Sequence, residues 1–179
     1  MRNHALDEYL GSLPRKRIAA GVLLRDQKGR IVLIEPTYKT TWEIPGGVVE
    51  VDESPWLAAE RELEEELGLA RRNMPVLVID HVPTAPDGMP EGLLWIFDGG
   101  LLSEAESREL RGDGDEVKTV HLVELEEAVK HTNDSLGRRL RVALEAALTL
   151  SAPVYGDRGR PRRIASPPYK PSPHGVERL

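Results

Sequence analysis

The stretch from Ser54 to Gly68 constrains this chain more than any other, because it carries both ends of a helix in its own residues. Ser54 suits an N-cap, Pro55 suits the first helical position where its missing N–H costs nothing, and Gly68 suits the stop. At about 100° per residue, Ala59, Leu63 and Leu67 fall on one apolar stripe, with Trp56 near its edge. Glu62 and Glu66 lie beside that stripe and Glu65 lies next to them, further round; Glu64 and Arg61 point elsewhere. Three carboxylates therefore share one side of the helix, beside its core-facing stripe.

Local helix energetics do not account for that grouping. Like charges at such spacings cost about 0.2–0.5 kcal/mol per pair, and acids in the last turns oppose the helix dipole. A bound divalent cation accounts for it, since Mg²⁺ takes oxygen ligands and keeps substrate phosphates in its shell. Read from the acids alone, a solvated Glu-rich helix is the plainer alternative.

Around this helix the pattern is mostly strand. Residues 4–12 read as a short helix ended by Gly11 and Pro14, and Ile18–Leu24 with Ile31–Ile34 reads as a β-hairpin about a turn at Gly29. Trp42 to Gly47 reads as a strand end running into a glycine turn. Strands are expected at Val76–Val82, Gly92–Phe97 and Val117–Val123, then helices at about 124–130 and 134–150. This order suggests a mixed sheet between helices, an α/β fold. Pro153 opens a tail over residues 151–179 that holds six of the fourteen prolines; it reads either as a solvated appendage or as a partner-binding or dimer-embracing arm. The expected organisation is a helical segment at 1–14, a catalytic domain at 15–150 and the tail at 151–179.

Composition narrows the chemistry. The absence of cysteine excludes disulfides, thiolate catalysis and Cys-ligated metal sites. No apolar leader or bilayer-length run is visible, so the expectation is a cytoplasmic, membrane-free protein. The net charge of −6 divides into +4 on residues 151–179 and −10 on the rest. An acidic body is a poor partner for nucleic acid, and it repels a phosphorylated substrate unless cations lie between them.

The full pattern about the helix is Gly47, five residues, Glu53, seven residues, Arg61-Glu62-Leu63, one residue, Glu65-Glu66, one residue, Gly68-Leu69. It resembles the Nudix box at every defined position, with Pro45 and Gly46 as the usual entry. The resemblance implies a Nudix-type α/β/α sandwich with a mixed β-sheet and a hydrolase that cleaves a phosphoanhydride bond in a nucleoside diphosphate linked to another moiety, of the ADP-ribose, nucleotide-sugar or nucleoside-triphosphate class. It implies Mg²⁺ or Mn²⁺ as cofactor, with Glu62, Glu65, Glu66 and the Gly46 carbonyl as metal ligands. Arg61 would orient neighbouring carboxylates and Glu53 would brace the loop against the helix. An ordinary surface ion pair is the bland reading of those two. A homodimer is a further family-level expectation.

The base for the attacking water is open between Glu65 or Glu66 inside the box and an acid in the loop before the strand at Val117. There Glu116 is preferred, with Asp115 and Asp113 behind it; a plain acidic turn is the alternative. Glu50 is a further candidate metal contact. Tyr38, Trp42, Trp95 and Phe97 are the aromatics available to wall a base or sugar, although each such residue is more often core. His81 and His121 lack metal-ligand spacing, and Ser103 and Ser107 lack His/Asp partners for a nucleophilic mechanism. The rival function is a Nudix-like ligand sensor without turnover. Such domains often lose box carboxylates, and this chain retains all of them. Neither a helix-turn-helix nor an EF-hand pattern is present.

Overall fold

A computed structural model of the chain describes residues 4–150 and 153–161. The elements, in chain order, are α1 (His4–Ser12), β1 (Arg17–Arg25), β2 (Ile31–Pro36), β3 (Gly46–Val48), α2 (Pro55–Leu67), β4 (Val76–Val82), β5 (Gly92–Leu101), α3 (Glu104–Glu109), β6 (Val117–Val123), α4 (Leu125–His131), α5 (Asp134–Thr149), β7 (Val154–Asp157) and β8 (Arg160–Pro161). Among the described residues the strands form one mixed sheet in the order β6-β2-β1-β5-β4-β7-β8, with β3 paired on β1. β1 runs parallel to β5, and β4 runs parallel to β7.

β1 lies in the middle of the sheet and is covered on both faces, which is why its sequence is continuously apolar rather than alternating. On one face Ala58, Ala59, Leu63 and Leu67 of α2 pack on Ala20, Val22, Leu24 and Phe97. On the other, Leu136, Leu140, Ala143 and Ala146 of α5 and Ala128 of α4 pack on Leu23, Ile31, Leu33 and Ile96. The result is the α/β/α sandwich. Leu63 is fully buried, and truncating such a leucine to alanine costs about 2–5 kcal/mol.

The sequence signals of α2 act as written. The Ser54 side chain accepts from the Leu57 N–H at 3.2 Å, and Gly68, at φ 65°, donates to the Glu64 carbonyl. Two regions differ from expectation. Gly46 and Gly47 are strand residues rather than a turn, because β3 pairs with β1 at Gly21↔Gly46 and Ala20↔Gly47. And residues 154–161 are not a free tail: β7 extends the sheet beside β4 and β8 folds back on β7. The anchor is Asp80, wholly buried on β4, which accepts Arg139 Nε at 2.6 Å and the Gly159 N–H at 2.9 and 3.0 Å. The rest of the expected tail, residues 151–152 and 162–179, lies outside the described residues.

Candidate active site

The acidic helix meets the rest of the protein at β3. Gly46 sits at φ 141°, a backbone state that disfavours side chains, and a Cβ there would overlap the Ala20 carbonyl. A Cβ on Gly47 would overlap the Glu62 carboxylate. The two glycines therefore let β3 lie directly against the carboxylates of α2. The Gly46 N–H uses this approach to donate to Glu66 Oε2 at 2.8 Å.

Helix arithmetic sends Arg61 away from the acids, but its length brings the guanidinium back among them. Nε and Nη2 donate to Glu53 Oε1 at 2.9 Å and Oε2 at 3.0 Å, a two-pronged pair. Nη1 donates to Glu62 Oε1 at 2.8 Å and Glu65 Oε2 at 3.0 Å, and Nη2 reaches the Val48 carbonyl at 3.3 Å. Glu53 in turn accepts the Glu50 N–H at 3.0 Å. One planar cation thus ties the box loop to the first acids of the helix. The Arg61 fork is the main cause holding the Glu53 carboxyl below its ordinary pKa, and Glu53 likewise raises that of Arg61.

Glu66 is in a different situation. It is 6% exposed, and its carboxyl is pushed up to about 8. Burial is the main cause; the negative charges of Glu62, Glu116 and Asp113 add to it, against the single Gly46 N–H. Burial also raises Glu62, with Arg61 opposing and Glu65 and Glu116 adding. The cluster is short of positive charge at its buried end, where the Arg61 fork does not reach.

Glu116 comes to this place by way of the loop before β6, which packs beside the end of β2. Asp113 builds that loop: its Oδ1 accepts the N–H groups of Asp115, Glu116 and Val117 at 3.1, 3.0 and 2.9 Å. Those bonds, led by the one from Val117, hold the Asp113 carboxyl below its ordinary range. The Glu116 carbonyl takes the Thr37 N–H at 2.9 Å and the Asp115 carbonyl takes the Thr37 hydroxyl at 2.9 Å. Asp113 is therefore spent on backbone, while the Glu116 side chain is exposed and faces a cleft.

The cleft has a volume of about 510 Å³. Gly46, Gly47, Glu66 and Glu116 form its acidic end; β1 supplies a floor through Ala19 and Gly21, and Arg17, Leu94, Met89 and Arg139 lie along it. Glu53, Arg61 and Glu65 open on a neighbouring surface instead. Sequence reasoning missed Arg17, Met89, Leu94 and Arg139. Nothing local marks them, since four different segments bring them together.

The aromatic residues divide unevenly. Tyr38 is exposed and lines the cleft. Phe97 does not wall a substrate, because it is 1% exposed and packed in the core beneath α2. Trp95 lies two residues away on the same face of β5, stacked toward Phe97 at 6.3 Å; strand alternation gives the cleft Leu94 instead. Trp42 is also not a cleft residue: its ring is sandwiched between His121 at 3.7 Å and His131 at 3.9 Å. His121 lies 3.2 Å from Glu35, and His81 lies 3.3 Å from Glu91 and 3.4 Å from Asp157. Ser103 caps α3 and Ser107 bonds back to the Ser103 carbonyl at 2.9 Å. Glu50 is exposed and enters the network through its backbone, its N–H donating to Glu53 Oε2 and its carbonyl accepting the Glu53 N–H at 3.3 Å.

Among the described residues no three acidic or histidine side chains converge as a ready-made metal cage. Glu62 and Glu65 are turned to Arg61, and Glu66 to Gly46. The donor chemistry nevertheless suits a hard divalent ion: carboxylate oxygens, among them those of Glu66, whose carboxyl is pushed up to about 8 by burial and by neighbouring negative charge. Gly46 meets the acids in this arrangement through its N–H.

A family model described as the NUDIX domain matches residues 15–143. An ADP-ribose pyrophosphatase of Bacillus subtilis (strain 168) is 35% identical over 117 residues, 63% of this chain and 60% of that protein. A MutT-like protein of Streptomyces ambofaciens is 46% identical over 50 residues, 28% of this chain and 32% of that one. The chain thus spans between about a third and three fifths of the length of these curated relatives. Among solved structures, the MutT NUDIX hydrolase from Burkholderia pseudomallei superposes with a TM-score of 0.59 at 25% identity, covering 74% of this chain and 98% of that one. Among the described residues no helix is long and apolar enough to cross a membrane.

Proposed function

Because this chain belongs to the Nudix hydrolase family, we propose that its cleft hydrolyses the phosphoanhydride of a nucleoside diphosphate carrying a further group. The substrate class is ADP-ribose, nucleotide sugar or nucleoside triphosphate. Water attacks one phosphorus, the bridging P–O bond breaks, and two phosphate products leave. The observation that carries this reading is Glu66: a buried carboxyl at the acidic end of an open cleft, raised to about 8 by burial and by Glu62 and Glu116. Such a site gains most from a ligand that brings cations with it.

Members of the family generally use divalent metal ions. Here Glu62, Glu65, Glu66 and the Gly46 carbonyl would hold Mg²⁺ or Mn²⁺, which supplies charge neutralisation and polarisation at phosphorus. Arg61 positions the first two of those carboxylates, and its bond to Glu53 fixes the guanidinium from the other side. Gly46 and Gly47 admit the diphosphate because no side chain stands between β3 and the acids. Glu116 accepts the proton of the attacking water, a role for which Glu65 and Glu66 are the alternatives. Tyr38 walls the cleft beside this end. The ADP-ribose pyrophosphatase of Bacillus subtilis supports the nucleotide-sugar side of the class through the longest of the sequence matches described above.

The test is a substrate panel: ADP-ribose, NADH, dinucleoside polyphosphates, ordinary and oxidised nucleoside triphosphates, and nucleotide sugars, with phosphate counted after phosphatase treatment. Turnover should require Mg²⁺ or Mn²⁺ and fall by about 10²-fold or more in Glu65→Gln and Glu66→Gln with the fold intact. Undiminished activity in excess chelator contradicts the metal role. No turnover on any substrate with metal present moves the cleft to the sensor function.

A further inference from the structure

Next to the cleft is a second cavity of about 430 Å³, lined by Arg138, Asp157, Arg158, Arg160 and Pro161. The two share neighbouring residues on two elements. Arg138 and Arg139 are consecutive on α5, one in the cavity and one in the cleft. Asp157 of the cavity faces His81 on β4, and the next residue, Val82, lines the cleft.

The cavity is built on a turn that is held in place. Arg158 occupies the left-handed region at φ 56°, a state a non-glycine residue rarely adopts. Its N–H donates to the His81 carbonyl at 3.0 Å, and its own carbonyl accepts Arg138 Nε at 3.1 Å. The following residue, Gly159, is fixed by its N–H to the buried Asp80 carboxylate. Three guanidinium side chains are thereby collected around one hollow despite their mutual repulsion. Among the described residues the acid in the lining is Asp157, which lies 3.4 Å from His81. Planar guanidinium groups match phosphate oxygens in pairs, and among the described lining residues Arg138, Arg158 and Arg160 outnumber the carboxylate of Asp157.

We propose that Arg138, Arg158 and Arg160 form a phosphate-binding pocket, an anion site separate from the acidic end of the cleft. The group bound is a phosphate monoester or diphosphate. It comes either from a phosphate at the far end of the molecule in the cleft or from a free inorganic anion. The first source rests on the hydrolase function proposed above; the pocket itself does not.

The experiment titrates inorganic pyrophosphate into the metal-stripped full chain by calorimetry. The double variant Arg138→Gln/Arg160→Gln should bind at least about tenfold more weakly than wild type. Glu66→Gln should bind as wild type does, because the acidic end is not the site. Unchanged melting temperature in the double variant keeps folding out of the comparison, and Arg160→Gln alone, at an exposed position, repeats the test should the double variant melt early. Pyrophosphate that fails to bind wild type, or binds the variants equally well, overturns the proposal. Steady-state KM values for ADP-ribose and its 2′-phosphate then separate the sources. A preference for the 2′-phosphate that disappears in the double variant assigns the phosphate to the substrate; equal KM values with pocket-dependent pyrophosphate binding assign it to a free anion. A wild type that binds pyrophosphate but turns over nothing would sink the hydrolase function and leave the pocket standing.

Discussion

Removing the charge of Glu66 should flatten the pH dependence of stability in the ion-free protein. Its carboxyl lies at about 8, against an ordinary 4.5. An acid whose folded pKa lies above its unfolded one keeps its proton longer in the native state. The penalty is absent below the unfolded value, and stability is lost as pH rises from there through the folded value. Between about pH 6 and about pH 9 the folded protein holds an excess of one proton over roughly two pH units, and at about 1.4 kcal/mol per unit this amounts to about 3 kcal/mol. For a domain of this size each kcal/mol moves the midpoint by about 2–4 °C, so the Tm in chelator should fall by about 6–12 °C across that range. Glu62 is shifted in the same direction by its burial and adds to the slope. Glu66→Gln should remove most of the fall. Millimolar Mg²⁺ should do the same in wild type, because a cation makes the ionised form the favoured one, and its binding should release protons near neutral pH. The assay is a melting series in chelator and in Mg²⁺ at several pH values for both proteins. Parallel slopes in wild type and Glu66→Gln would refute the electrostatic account of this site.

Other outcomes follow from the same geometry. Arg61→Lys keeps the charge but loses the fork that spans Glu53, Glu62 and Glu65; kcat should fall by about tenfold or more, measured against a Tm within a few degrees of wild type. Gly47→Ala places a methyl group against the Glu62 carboxylate, so Mg²⁺ activation should shift to higher concentration while circular dichroism stays native; unchanged activation would mean the acids move aside freely. Asp80→Ala leaves the buried guanidinium of Arg139 uncompensated and frees the Gly159 N–H, which should cost about 3–5 kcal/mol in urea unfolding. Truncation after Leu150 removes β7 and β8 and should lower the midpoint of urea unfolding.

Much of this architecture is legible in the amino-acid sequence. Helix α2 announces itself because Ser54, Pro55 and Gly68 act locally, within one turn of the groups they satisfy. The two sandwiching layers follow from the apolar run of β1 and the stripe of α2. What escaped depends on partners far apart in the chain. The β7–β8 hairpin sits in a proline-rich context that reads as tail, and its anchor, Asp80, lies 79 residues from Gly159. Helix α3 carried a legible capping box, Ser103 with Glu106, but is only six residues long. Phe97 and Trp95 take the core place that is commoner for such aromatics, because alternation on β5 separates them from Leu94. The stacking of Trp42 is not legible locally, because its two histidine neighbours come from β6 and α4. At the site, the box names the acids, but only the structure shows that Arg61 gathers three of them and leaves Glu66 without a counter-charge.

The docking of residues 154–161 has one more effect. With β7 in place, β4 is an interior member of the sheet; without it, its row of N–H and C=O groups would stand open along the molecule's flank. Proteolytic nicking between Leu150 and Pro153 would therefore do more than shorten the chain. It would hand neighbouring molecules a template to zip onto, and preparations that have been trimmed there should turn turbid on standing while intact ones remain clear.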